Sequence, residues 1–352
     1  WPARLAIVVA IALVWFLVNF WIMQRRRNAD AAIVAGATAS AAEGPDASAE
    51  EVAALREKLT TALGLLRRAR GTRGYLYEQP WYVIIGPPGA GKTTALLNAG
   101  LQFPLASEMG QGAVAGIGGT RLCDWWFTEN AVLIDTAGRY TTQDSDAAVD
   151  RAGWEGFLDL LRRTRARQPL NGVLVAISVA DIATASAAER SAHARAIRRR
   201  IKELTDKLGV RLPVYALFTK ADLLAGFTEY FDDLDRERRG QVWGMTFPLA
   251  SAAGADAGPV AGFVAEFQAL VARLGERLLD RLQAERSPDR RALIAGFPAQ
   301  VASLEQPLAS FLAEAFGGSR LDPAPFLRGV YLTSGTQEGT PIDRLTGAMA
   351  RS

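Results

Sequence analysis

The sequence predicts an α/β domain built on a mostly parallel sheet, set behind one membrane-spanning helix and followed by a helical extension. Three observations carry that expectation. Between Trp81 and Ser251, short β-type runs (WYVII, AVLID, GVLVAIS, VYALFT) alternate with helical stretches around 93–100, 154–167 and 187–208. This is the rhythm of parallel strands joined by crossover helices. A glycine-rich turn, Gly86 to Thr93, joins the first strand to the first of those helices. From Leu5 to Met23 the chain is apolar, with Asn19 its one strongly polar residue. At about 1.5 Å per residue this run nearly spans a hydrocarbon layer of ~30 Å.

The apolar run ends in bulky residues and is followed by Arg25-Arg26-Arg27, whereas a signal peptide is shorter and ends in small residues. Only Arg4 precedes it, so the arginine cluster stays on the cytoplasmic side and residues 25–352 are expected there too. The transmembrane helix is assigned to residues 1–24 and a small-residue tether to 25–47. Because it begins with Trp1, the chain is expected to be a fragment or a processed form. Residues 48–255 form the main domain. It opens on an amphipathic helix whose Ser48 and Glu51 make a capping-box pattern and whose Val52, Leu55, Leu59, Leu63 and Leu66 share one face, ending near Gly71. In CDWWFTEN a strand is expected to pair with AVLID, with one of Trp125 and Trp126 packed inside. The arginines at 162–167 and 195–200 read as solvated helix faces with a bias towards anionic lipid. Residues 256–352 carry apolar residues at helical spacing, then a returning strand in FLRGVYLTS.

Composition removes several function classes. Forty Lys+Arg against 37 Asp+Glu leave +3, too near balance to announce a nucleic-acid partner. Cys123 is the one cysteine and His193 the one histidine, so disulfide scaffolds, Cys/His zinc sites and Ser-His triads drop out; both residues read as structural.

Gly86-Pro87-Pro88-Gly89-Ala90-Gly91-Lys92-Thr93 fits G-x-x-x-x-G-K-[ST] between a strand and a helix, the P-loop arrangement. Its glycines let backbone N–H groups curl around phosphate oxygens, with Ala90 and Thr94 contributing at the helix start. Lys92 reaches the outer phosphates and Thr93 offers a hydroxyl to Mg²⁺. A second strand delivers Asp135 of D-T-A-G to the sheet edge as a Mg²⁺-holding carboxylate, and Gly138 can offer its N–H to a γ-phosphate. Thr120 in GIGGTR is a candidate switch residue on the same metal. Thr219-Lys220-Ala221-Asp222 resembles the N-K-x-D loop that reads guanine, with Lys220 over the base and Asp222 on its edge; a simple helix cap at Asp222 is the competing reading. Ser251-Ala252 is a weaker candidate for the loop that closes over the base. After Gly138 a Ras-like protein has a glutamine, and here the residue is Arg139, which has donors but no acceptor for a water proton. Gln143, or Arg139 acting as a built-in finger, is the candidate catalytic group beside Lys92. Slow hydrolysis in isolation is expected. The cofactor expectation is ATP or GTP with Mg²⁺, the base left open.

Three stretches, WYVIIGPPGAGKTTALLNAGLQFPL, GGTRLCDWWFTENAVLIDTAGRYTTQDS and LRGVYLTSGTQEGTPIDRL, resemble the TssM/IcmF proteins of type VI secretion systems. The resemblance implies a Gram-negative inner-membrane protein with a cytoplasmic NTPase-like, GTPase-like P-loop domain. It also implies a TssL-like membrane protein, a TssJ-like lipoprotein reached through a periplasmic region absent here, and baseplate components as partners, in an oligomeric complex. Two functions from different classes follow: a nucleotide-binding, slowly hydrolysing subunit, or a structural scaffold whose nucleotide site is static or vestigial. A membrane-tethered GTPase unrelated to secretion is a third, weaker reading.

Overall fold

The computed structural model describes residues 15, 47–70, 75–103, 122–143, 146–248, 258–318, 322–335 and 342. Helix α1 (Ala47–Arg70) and a single turn, α2 (Tyr75–Glu78), lead into β1 (Trp81–Ile85), and α3 (Lys92–Leu97) follows the glycine-rich turn. Strands β2 (Cys123–Phe127) and β3 (Val132–Thr136) come next, then α4 (Gly138–Thr142) and α5 (Ala147–Thr164). They are followed by β4 (Gly172–Ser178), α6 (Val179–Thr184), α7 (Ala187–Leu208) and β5 (Pro213–Thr219). A 3₁₀ turn (Ala221–Leu223), α8 (Phe227–Phe231), α9 (Arg236–Arg239) and β6 (Gly244–Thr246) precede three helices, α10 (Gly258–Ala284), α11 (Pro288–Ala302) and α12 (Glu305–Phe316). Strand β7 (Phe326–Leu332) closes the order.

The sheet runs β2-β3-β1-β4-β5-β7-β6. It is parallel except at its edges, where β2 pairs antiparallel with β3 and β6 with β7. The expected α/β class therefore holds. β1 lies between β3 and β4, and Trp81, Val83, Ile84 and Ile85 are all buried, as a strand covered on both faces requires. Local signals explain the helix ends. Asp146 accepts from the Ala148 and Val149 N–H groups at the start of α5. Ser186 and Glu189 form a reciprocal capping box on α7, which stops at Gly209 with φ 67°.

Several sequence expectations are refined. α1 begins by Ala47, ahead of Ser48. Trp125 and Trp126 are both buried, not one of the two: adjacent strand residues face opposite ways, and Trp125 meets Phe157 at 6.4 Å while Trp126 meets Phe103 at 5.4 Å. Two arginines read as solvated are buried. The Arg165 guanidinium stacks over the Trp81 and Tyr77 rings, and burial brings its pKa down to about 10. Arg200 pairs with Glu203 at 2.8 Å, and Glu203 also accepts from the Trp154 indole. Cys123 is fully buried and His193 packs edge-on against Phe311. The apolar run 5–23, apart from Trp15, and residues 25–46 of the tether lie outside the described residues, while Ala47 already belongs to α1; among those described, no helix is long and apolar enough to cross a membrane.

The returning strand is integral to the sheet. β7 is inserted between β5 and β6, so the helical extension is an excursion between sheet strands. Its inner anchor is aromatic: the Phe297 ring on α11 stands 4.9–6.4 Å from those of Tyr230, Phe231, Phe227 and Trp243. Buried Arg281 of α10 clamps the same region by donating to the Tyr230 and Glu229 carbonyls and to Asp232. Phe297→Ala is expected to cost ~3–5 kcal/mol, the range for emptying a buried aromatic site, and to lower the denaturant midpoint without altering the far-UV spectrum.

Candidate functional site

Parallel pairing of β1 with β3 sets Ile84 opposite Asp135, so the glycine-rich turn and the D-T-A-G turn leave the sheet side by side at its C-terminal edge. Ligand sites of open α/β sheets gather at that edge. The two turns are joined directly. The Thr93 hydroxyl donates to Asp135 Oδ2 at 2.5 Å, the Gly86 N–H donates to the Thr141 hydroxyl at 3.0 Å, and the Thr136 hydroxyl donates to the Ile84 carbonyl at 2.7 Å. A Cβ on Gly138 would overlap the Pro88 backbone, and one on Gly86 would overlap the Ala176 carbonyl, so only glycine permits this approach. Gly91, with φ 72°, turns the loop into α3.

Lys92 is buried, and its ammonium donates to the carbonyls of Gly86 at 2.8 Å and Pro87 at 3.0 Å, folded along the loop it would serve. Burial pulls its pKa down, and Asp135 works against that shift. Asp135 is fully buried, with its carboxylate on the Thr93 hydroxyl at the head of the loop. Thr93 and Asp135 supply a hydroxyl and a carboxylate one hydrogen bond apart. These are hard oxygen donors of the kind Mg²⁺ accepts alongside waters and phosphates. Among the described residues no group of three His, Cys, Asp or Glu side chains gathers to hold a metal. Thr120 lies outside the described residues.

The T-K-A-D loop meets the same edge from β5. The Thr219 hydroxyl donates to the Ala90 carbonyl at 2.7 Å, which ties this loop to the glycine-rich turn. Lys220 holds a left-handed backbone with φ 59°, a conformation costing a non-glycine residue about 1–3 kcal/mol. Asp222 is 8% exposed, and both carboxylate oxygens are buried without a partner of ordinary hydrogen-bond geometry. Burial raises its pKa, against the pull of its own N–H, the Ser334 hydroxyl and the Gly335 N–H. A cavity of about 70 Å³ separates Gly91 and Thr94 from Lys220, Asp222, Thr333 and Gly335.

One stretch beside Asp222 was not marked in the sequence as part of the site. Ser251-Ala252 lies outside the described residues, and the residues beside Asp222 are Ser334 and Gly335, at the end of β7. The Ala221 N–H donates to the Thr333 carbonyl at 3.0 Å and the Thr333 N–H to the Phe218 carbonyl at 2.8 Å. The signal was present in FLRGVYLTSG as a strand followed by small polar residues, but its neighbour in space is more than 100 residues away in sequence.

Two candidate catalytic residues point elsewhere. The Arg139 guanidinium donates to Asp150 at 2.5 Å and to Glu51 of α1 at 2.7 Å. Partial burial would lower its pKa, but the two carboxylates more than reverse this and hold it above the usual arginine value. The Gln143 side chain accepts from Arg200 at 3.3 Å, and its backbone is left-handed, φ 58°. The glycine-rich turn, Asp135, Gly138 and Asp222 therefore converge, while Arg139 and Gln143 are engaged by α1, α5 and α7.

A family model described as the IcmF-related N-terminal domain matches residues 147–352. The chain is also 58% identical, over 309 residues and 87% of its length, to the type VI secretion system component TssM1 of Pseudomonas aeruginosa. The chain belongs to the TssM/IcmF family. It spans 28% of the length of that relative.

The buried Asp222 carboxylate has a thermodynamic consequence. Its folded-state pKa is raised, so it costs stability once ionised; the cost is absent below the unfolded value of about 3.9 and grows as pH rises through the folded value. Asp222→Asn is therefore expected to raise the melting temperature at pH 7 in nucleotide-free buffer, with the gain shrinking towards pH 4. Differential scanning calorimetry at the two pH values checks this.

Proposed function

We propose that this edge binds a Mg²⁺–nucleoside triphosphate, with guanine the favoured base, and hydrolyses it slowly. In this reading residues 25–352 are the cytoplasmic part of an inner-membrane subunit of a type VI secretion complex. The observation that carries the reading is the convergence of Lys92, the Thr93–Asp135 pair and the buried Asp222 carboxylate at one sheet edge. Backbone N–H groups of Gly89, Ala90, Gly91, Lys92, Thr93 and Thr94 would cradle phosphate, with Lys92 exchanging its loop carbonyls for phosphate oxygens. Bound Mg²⁺ would be held by Thr93 and Asp135 and would offset charge on the β- and γ-phosphates. Asp222 is suited to accept from a guanine edge, which supplies two N–H donors to an otherwise costly buried carboxylate. The ring would lie between Lys220 and the Thr333–Gly335 loop.

The family supports a membrane-complex setting, and within it we propose the apolar run 5–23 as an inner-membrane anchor. A TssL-like membrane protein, a TssJ-like lipoprotein reached outside this chain, and baseplate components are the proposed partners. A second reading, a docking scaffold with a static nucleotide, is favoured by one observation: Arg139 is committed to Glu51 and Asp150.

Titration with fluorescent ATP and GTP, with and without Mg²⁺, tests the proposal. Tight Mg²⁺-dependent GTP binding is expected, and absence of binding to either nucleotide sinks it. Lys92→Ala should lose far more affinity for triphosphate than for the nucleoside. Asp222→Asn should move preference from guanosine to xanthosine triphosphate by exchanging an acceptor for a donor. Equal ATP and GTP binding, unchanged by that substitution, would reduce T-K-A-D to a helix cap. Single-turnover hydrolysis is expected well below about 1 s⁻¹, the low end of ordinary turnover.

A further inference from the structure

Glu51 is a charged residue on the first turns of α1, remote from the phosphate loop in sequence and 8% exposed in its side chain. Its carboxylate accepts from the Arg139 guanidinium at 2.7 Å and from the Tyr140 hydroxyl, both in the segment that directly follows Gly138. The seat is tight. A Cβ added to Gly153 of α5 would overlap the Glu51 carboxylate, and one added to Gly156 would stand 2.6 Å from Val52. Two glycines thus let α1 lie directly on α5, with Glu51 delivered between α4 and α5. Asp150, fully buried on α5, holds the other side of the guanidinium at 2.5 Å.

Gly138, the residue before Arg139, is packed against Pro87 and Pro88 of the phosphate loop. The Arg139 backbone therefore stands beside the proposed phosphate site while its guanidinium is turned away towards α1. We infer that Glu51 is a positioning residue that, with Asp150, withholds Arg139 from the phosphates, so that lifting the first turns of α1 removes one of the two carboxylates on the guanidinium and lets it turn towards them. The inference rests on the nucleotide reading above and adds its regulation. In hydrolysis, water oxygen bonds to the γ-phosphorus as the bond to the β–γ bridging oxygen breaks. The water's proton passes to a phosphate oxygen or to solvent, and nucleoside diphosphate and inorganic phosphate leave. Released Arg139 would offset the negative charge growing on the bridging oxygen, the part an arginine finger plays.

Two variants of the full chain test this by different routes. Glu51→Gln removes the charge and keeps the shape. Gly153→Ala displaces the Glu51 carboxylate, leaves every charged group in place and puts a better helix former in α5. Without nucleotide, both should speed amide exchange at Arg139–Gln143 while β1 stays protected. With Mg²⁺-GTP, both should raise the single-turnover rate by about tenfold or more at unchanged nucleotide affinity, and adding Arg139→Ala should abolish the gain. A merely structural role for Glu51 predicts loss of affinity or of folding and no acceleration. Unchanged exchange in both variants, or bound nucleotide with no rate increase in either, overturns the inference alone. Failure of the parent to bind nucleotide overturns the site reading and takes the inference with it.

Discussion

The structure depends on the close approach of two turns at the end of β1 and β3. Parallel register sets Ile84 beside Asp135, and the missing side chain of Gly138 lets the second turn settle on Pro87 and Pro88. The lysine, the hydroxyl and the carboxylate come together only because of that contact. A β-carbon at Gly138 would drive the loops apart and separate Thr93 from Asp135. The hydrogen bonds from Gly86 to Thr141 and from Thr136 to Ile84 reinforce the same seam, so α4 is attached to the glycine-rich turn.

The helical extension serves the sheet as much as it adds to it. Because β7 runs between β5 and β6, the three helices α10–α12 span the gap between two neighbouring strands, and the chain must complete them before the sheet can close. The aromatic cluster around Phe297 and the Arg281 clamp hold the excursion against α8, a few residues beyond the T-K-A-D loop. Packing of the extension and the geometry around Asp222 are consequently linked, since Ser334 and Gly335 reach that carboxylate from the end of β7.

Charge is distributed unevenly around the site. Lys92 and Asp222 bear the cost of burial with incomplete compensation, which suits groups that await an ionic or hydrogen-bonding ligand. Arg139, Glu51 and Asp150 compensate one another, and Arg200 donates to Glu203 and Gln143. The first group faces the proposed ligand, and the second locks the segment after Gly138 to the helices around it.

Much of this was legible in the sequence, because it depends on local chemistry. A strand, a glycine-rich turn with Lys92-Thr93 and a helix follow one another through local backbone preference alone. Apolar runs of strand length separated by helical periods specify the α/β class, and a small polar residue at 219 keeps the tie to Ala90. What depends on contacts between distant segments was not legible. The burial of both Trp125 and Trp126 follows from cover on the two faces of β2, and the burial of Arg165 and Arg200 from aromatic and acidic partners on other elements. The insertion of β7, which brings Ser334 to Asp222, and the capture of Arg139 by Glu51 each join residues that share no local pattern. Sequence by itself determined which elements form and which residues can do chemistry, because backbone propensity and side-chain type are local properties. Tertiary structure alone decided which of those residues face one another, because that is set by strand order and by the few glycines that let helices and turns touch.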